Sequence, residues 1–155
     1  MRTYFTEVLA RERACLAEVT DRTMLADWRR GVVKELMTPQ SPYVLALRQT
    51  GSARDRADFL DGWRGLISGT VDRLLQSGAT GGTLCSSAQS PNSDVDAQKI
   101  AVLILAALHG GSTLSRLARD PRPLNDALDL ALAWADQDNS LAKTGTSCST
   151  SKIVR

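Results

Sequence analysis

A single histidine, three cysteines and a few closely spaced aspartates are all that the 155-residue chain offers for covalent or metal chemistry. A general base needs an orienting partner, and a nucleophile must lie within hydrogen-bond reach of it. His109 follows an apolar run and precedes Gly110-Gly111, with no Gly-x-Ser-x-Gly stretch or reactive cysteine beside it. It reads as a polar residue lining a cavity or capping a helix contact rather than as a catalyst. Cys15, Cys85 and Cys148 are odd in number, far apart and form no Cys-x-x-Cys pair. Structural zinc is thereby disfavoured, and reduced thiols are the expectation. Asp55, Asp58 and Asp61 fall on one side of a helical repeat, but Arg54, Arg56 and Arg64 lie among them, as on a solvated face. The stretch 78–82 is glycine-rich, yet no Gly-Lys-Ser/Thr follows and no strand precedes it, so it carries no phosphate-loop signal. No enzyme, metal or cofactor is expected.

The aromatic residues are more informative. Trp28, Tyr43, Phe59 and Trp63 come from three segments that short connections would make neighbours. Buried Trp and Tyr side chains need partners for their polar atoms. Two readings stand side by side: an ordinary core, or the wall of an apolar pocket between helices. In the second reading Trp28, Tyr43, Trp63, Ile67, Leu105 and His109 surround a small apolar or aromatic ligand.

These residues must be positioned by helices, because period-two strand patterns are nearly absent. Phe5, Val8, Leu9, Leu16 and Val19 recur at helical spacing over 3–19, with Thr20-Asp21 as a break and new N-cap. Met24, Leu25, Trp28, Val32, Val33 and Leu36 mark a second helix ended by Thr38-Pro39. Ser41-Pro42 restarts a short helix that Gly51 would cap. A long helix from Ser52 to about 77, with Gly78 just past its end, carries an apolar stripe interrupted by Gly62, Gly65 and Gly69. Those glycines imply either local weakness or close approach of a backbone or ligand. A polar loop over 79–92 leads to a helix capped by Ser93 and running to about 118. Its stretch 100–108 is apolar on every side, so several faces must be covered. Asp120-Pro121-Arg122-Pro123 makes a corner before a last helix reaching 136. The prediction is all-α with about six helices: a domain over 1–136 and a disordered, Ser/Thr-rich tail over 137–155.

Composition sets outer bounds. Apolar residues at 43% and charged residues at 23% suit a globular core. The net charge of +2, with acidic and basic residues interleaved as in Arg11-Glu12-Arg13, gives no basic stripe for nucleic acid and reads as solvated helix faces. No specific DNA binding by this chain is expected. No continuous stretch of about 20 apolar residues is visible, and the N-terminus lacks a signal-peptide core, so a cytoplasmic, non-membrane protein is expected.

The run IAVLILAALHGGSTLSRLARDPRPL over 100–124 resembles the penultimate helix and corner of TetR-type transcriptional regulators, most nearly the LmrA/YxaF-like subgroup. Phe59 to Trp63, followed by Leu74-Leu75 and Gly78, resembles that subgroup's preceding long helix. The resemblance covers about 41–135. Where the subgroup commonly has a Gly-Cys-Pro-Leu-like stretch, this chain has Gln40-Ser41-Pro42-Tyr43. The resemblance implies an effector-binding and dimerisation domain, a TetR C-terminal-like bundle that starts where the family's helix-turn-helix would already have ended. It further implies a homodimer through a four-helix interface built from the last two helices, with Leu103, Ala107, Gly110, Gly111, Leu114, Leu117, Leu128 and Ala131 at the seam. The expected function is effector sensing and dimerisation in a repressor. The alternative is a helical module that binds another protein and no small molecule.

Overall fold

The computed structural model describes residues 3–48, 52–79 and 92–135. Among these, six helical rods and no strand are present, as the periodicity predicts. The rods are α1 (Thr3–Glu18), α2 (Arg22–Met37), α3 (Pro42–Arg48), α4 (Ala53–Ala79), a continuous run of α5 (Asn92–Ala106) and α6 (Ser112–Ala118), and α7 (Arg122–Leu132). A π-helical turn, Ala107–Gly111, joins α5 to α6. Expectations about Gly51, the loop over 80–91, Cys85, Cys148 and the tail over 137–155 lie outside the described residues.

Local chemistry explains where the helices start and stop. The Asp21 carboxylate accepts the Met24 N–H at 2.9 Å, satisfying one open donor of the first turn of α2. The Thr38 hydroxyl donates to the Lys34 carbonyl at 2.7 Å at its other end. Pro39 and Gln40 then form a tight turn closed by the Ser41 N–H on the Thr38 carbonyl, with Gln40 in the left-handed region at φ 68°. Ser52 receives the Arg54 N–H at 3.3 Å ahead of α4. α4 runs through Gly78 to Ala79, past the predicted stop, because a glycine costs about 1 kcal/mol and does not by itself end a helix. α5 begins at Asn92, one residue before the predicted cap Ser93. At the corner, the buried Ser115 hydroxyl accepts the Leu124 N–H at 2.9 Å, so α6 caps α7. Arg119, at φ 54°, supplies the left-handed residue that ends α6.

The core runs the length of the bundle, from Phe5 stacked on Phe59 (ring centroids 4.7 Å apart) through Trp63 and Ile67 to Ile104, Leu124 and Leu128. Polar ties fix how the rods meet. Arg73 and Thr70 of α4 donate to the Leu16 carbonyl at 2.7 and 3.3 Å, closing the C-terminal end of α1. Arg29 of α2 pairs with Asp129 of α7 at 2.6 Å and donates to the Asn125 carbonyl at 3.1 Å.

Ala101, Ile104, Ala107 and Leu108 of the all-round apolar stretch are buried, while Val102, Leu103 and Ala106 remain exposed. The helical run Asp96–Ala118, whose most apolar 18-residue stretch has a mean hydropathy of 1.5, is long and apolar enough to cross a membrane by length and composition, contrary to the expectation from continuous runs. The small polar residues Ser112, Thr113 and Ser115 break the run without lowering its average enough to exclude it. In the bundle it packs against α4 and α7, as the central helix of an all-α domain does.

The interruptions in α4 have different causes. A β-carbon at Gly62 would lie 3.3 Å from Leu9 Cδ1, so that position accommodates α1. At Gly65 and Gly69 no atom lies within 4 Å of such a carbon. Gly65→Ala and Gly69→Ala are therefore each expected to stabilise the protein by about 0.5–1 kcal/mol. Denaturant unfolding checks this, and a loss at both positions contradicts an open surface there.

Candidate functional site

The first step toward a site is a residue that sequence reasoning placed on a solvated face. Glu12 is 1% exposed. It occupies the one gap in the apolar stripe of α1, between Val8 and Leu16, so the helix delivers its carboxylate into the bundle. Three donors from three other helices converge on it. Trp63 Nε1 (α4) and Trp28 Nε1 (α2) donate to Oε2 at 2.8 and 3.1 Å, and the Tyr43 hydroxyl (α3) donates to Oε1 at 2.7 Å. Tyr43 and Trp63 also meet edge to face, with ring centroids 5.9 Å apart.

The electrostatics are a contest. Burial pushes the Glu12 pKa above the usual glutamate value, while the bonds from Tyr43, Trp63 and Trp28 favour the charged carboxylate and pull it back. The net direction is upward. The Tyr43 pKa is raised well above its ordinary range by burial first and by the Glu12 charge second, so Tyr43 stays a donor.

Beside this cluster, between α1 and α2, opens a cleft of about 560 Å³. Trp28, Tyr43 and Glu12 form its inner side, with Val19, Met24 and Val32 as apolar wall. Cys15 lies exposed on its rim, its thiol pKa raised by partial burial and then by Glu12 and Glu18.

The structure thus brings together three of the six residues predicted around a ligand: Trp28, Tyr43 and Trp63. They converge on a carboxylate instead of enclosing a void, since indole and phenol donors in a core must be satisfied. Trp63 is fully buried behind the cluster, and Ile67 packs in the core one turn further along α4. Neither lines the cleft. Leu105 is half-buried on α5, and His109 is exposed in the π-helical turn, where its carbonyl accepts from Ser112 and Thr113. Neither of these lines the cleft, whose walls come from α1, α2 and α3. Of the acidic trio on α4, Asp58 and Asp61 are exposed, and Asp61 pairs with Arg64 at 3.1 Å. Among the described residues no three metal-ligating side chains are grouped.

The predicted seam divides in two. Leu103 and Leu114 are each 58% exposed, and Leu117 is 79% exposed. Gly110 has open space where a β-carbon would stand. Ala107, Gly111, Leu128 and Ala131 instead face the chain's own core, a correction with a plain cause. At Gly111 a β-carbon would sit 2.9 Å from Leu124 Cα, so its close backbone approach serves α7 of the same chain. Sequence reasoning missed Leu130, 81% exposed on α7, and Val102 on α5. Comparison with family models, with curated proteins and with solved structures finds no match to this chain.

Proposed function

We propose that this chain is the effector-sensing and dimerising domain of a TetR-type transcriptional regulator, acting in the cytoplasm. The observation that carries the reading is the set of large apolar side chains left in solvent on consecutive helices: Val102 and Leu103 of α5, Leu114 and Leu117 of α6, and Leu130 of α7. Single exposed leucines are ordinary; five on adjoining elements call for a covering surface. These are the helices through which the 100–124 resemblance would pair two copies. The cleft between α1 and α2 supplies the place for an effector, with an apolar wall and a few convergent polar groups. In a full-length relative, effector binding would bias the domain between DNA-bound and released states. The isolated chain binds no specific DNA.

Light scattering at micromolar concentration tests the dimer, which is expected to bury roughly 2,000 Å² or more. Leu114→Glu combined with Leu117→Glu is expected to convert it to monomer. Both side chains are exposed in the single chain, so the monomer should keep the helical content of the wild type by circular dichroism. A wild-type protein that is monomeric throughout defeats the dimer. The same apolar face also suits a helical module that binds a different protein. A monomer that responds to no small molecule would favour that second reading.

A further inference from the structure

The acidic character of the cleft narrows the ligand further. We infer that the cleft between α1 and α2 binds an organic cation, an aromatic body carrying an ammonium group, with Glu12 at its inner end and Trp28 and Tyr43 as the aromatic surface. This rests on the proposal that the cleft is the effector site. Glu12 is almost wholly removed from solvent, its partners are three neutral donors, and no basic group pairs with it among the described residues. A buried carboxylate without a counter-charge attracts a cation more strongly than an exposed one, because little water screens it. The rim continues the same sign. Four carboxylates line the cleft (Glu12, Glu18, Asp27 and Glu35) against two basic groups, Arg11 and Lys34.

Arg11 bridges Glu7 at 3.3 Å and Glu35 at 3.6 Å, and Arg30 pairs with Asp27, so the negative charge in the cleft that stays without an ion pair among the described residues is that of Glu12 and Glu18. The apolar wall of Val19, Met24 and Val32 selects against a bare hydrated metal ion, which would lose its water there without gaining ligands. An ammonium group on an aromatic body satisfies both halves of the site. Its charge faces Glu12 and the indole and phenol rings, and its body covers the wall.

Three compounds of one shape separate charge from shape: 2-naphthylmethyl-trimethylammonium, 2-naphthylmethanol and 2-naphthoate. Quenching of tryptophan emission, to which Trp28 contributes, and thermal shift read binding to the full chain. The ammonium compound is expected to bind about tenfold more tightly than the alcohol at low salt, with the gap narrowing as salt screens the rim. Naphthoate is expected to be the weakest of the three. Glu18→Gln, an exposed change, is expected to weaken the ammonium compound about threefold and leave the alcohol's affinity as it was. Equal binding of the alcohol and the ammonium compound would overturn the cation inference while leaving the cleft as an effector site. Preference for naphthoate would overturn it in the same way. No binding of any of the three would overturn both the inference and the assignment of this cleft.

Discussion

Glu12→Leu is expected to destabilise the protein by about 4 kcal/mol, a large part of the 5–15 kcal/mol that holds a typical domain together. The volume change is small, so the loss comes from the partners left behind. Trp63 Nε1, Trp28 Nε1 and the Tyr43 hydroxyl all point at the carboxylate. Trp63 is fully buried and has no water to turn to, whereas Tyr43 and Trp28 border the cleft and recover part of their loss. A buried donor without an acceptor costs about 1–3 kcal/mol. Glu12→Gln is expected to cost less, since an amide oxygen still accepts. Its comparison with wild type also isolates the titration. The folded-state pKa of Glu12 lies above the ordinary value of 4.5, so the native state holds its proton longer than the unfolded chain does. The stability from this group is present below pH 4.5 and is lost as pH rises through the raised value. Measured by denaturant unfolding, the advantage of wild type over Glu12→Gln should therefore decline as pH climbs above 4.5. An advantage that grows with pH contradicts the assignment, and so does a Glu12→Leu protein as stable as wild type.

Gly111→Ala is the second large effect, with an expected loss of about 2–3 kcal/mol. The added carbon would lie 2.9 Å from Leu124 Cα and 3.2 Å from Leu124 Cδ1. A side chain can rotate away, but a backbone atom moves only if its helix moves. The N-terminal turn of α7 is fixed by the Ser115 cap and by the burial of Leu124, so the strain spreads into the corner. Gly110→Ala is the control, because its new carbon meets nothing within 4 Å in the single chain. Paired unfolding curves decide the matter: equal stabilities for the two variants would show that α7 does not press on Gly111.

Much of the fold was legible because it depends on local rules. Helical spacing of apolar residues, Asp21 and Ser41 as caps, and the proline corners at Pro39 and Pro121 all act within a few residues. The site was half legible. The aromatic donors Trp28, Tyr43 and Trp63 stood out as residues needing partners, yet the partner was hidden inside Arg11-Glu12-Arg13. Its signal was phase: position 12 falls on the stripe of Phe5, Val8 and Leu16, where an unpaired charge has no place. Which of Gly110 and Gly111 packs against α7 was not legible, because adjacent glycines look alike until the π-helical turn sets which one meets Leu124. The exposed position of Leu130 likewise follows from how α7 docks, a long-range outcome that helical period alone does not fix.

Gln40 and Arg119, the left-handed residues among those described, carry a different kind of consequence. Each occupies a backbone region that glycine enters freely and other side chains enter at a cost of about 1 kcal/mol. Reversing the residue type is expected to recover most of that: Gln40→Gly and Arg119→Gly should each raise the melting temperature, measured calorimetrically. Failure of both would mean that the side chains repay the strain. The chain thus sits below its own stability optimum at identifiable points, as sequences held only above a threshold do. That headroom has a use, because a background carrying both changes would tolerate lesions that the native sequence could not survive folded.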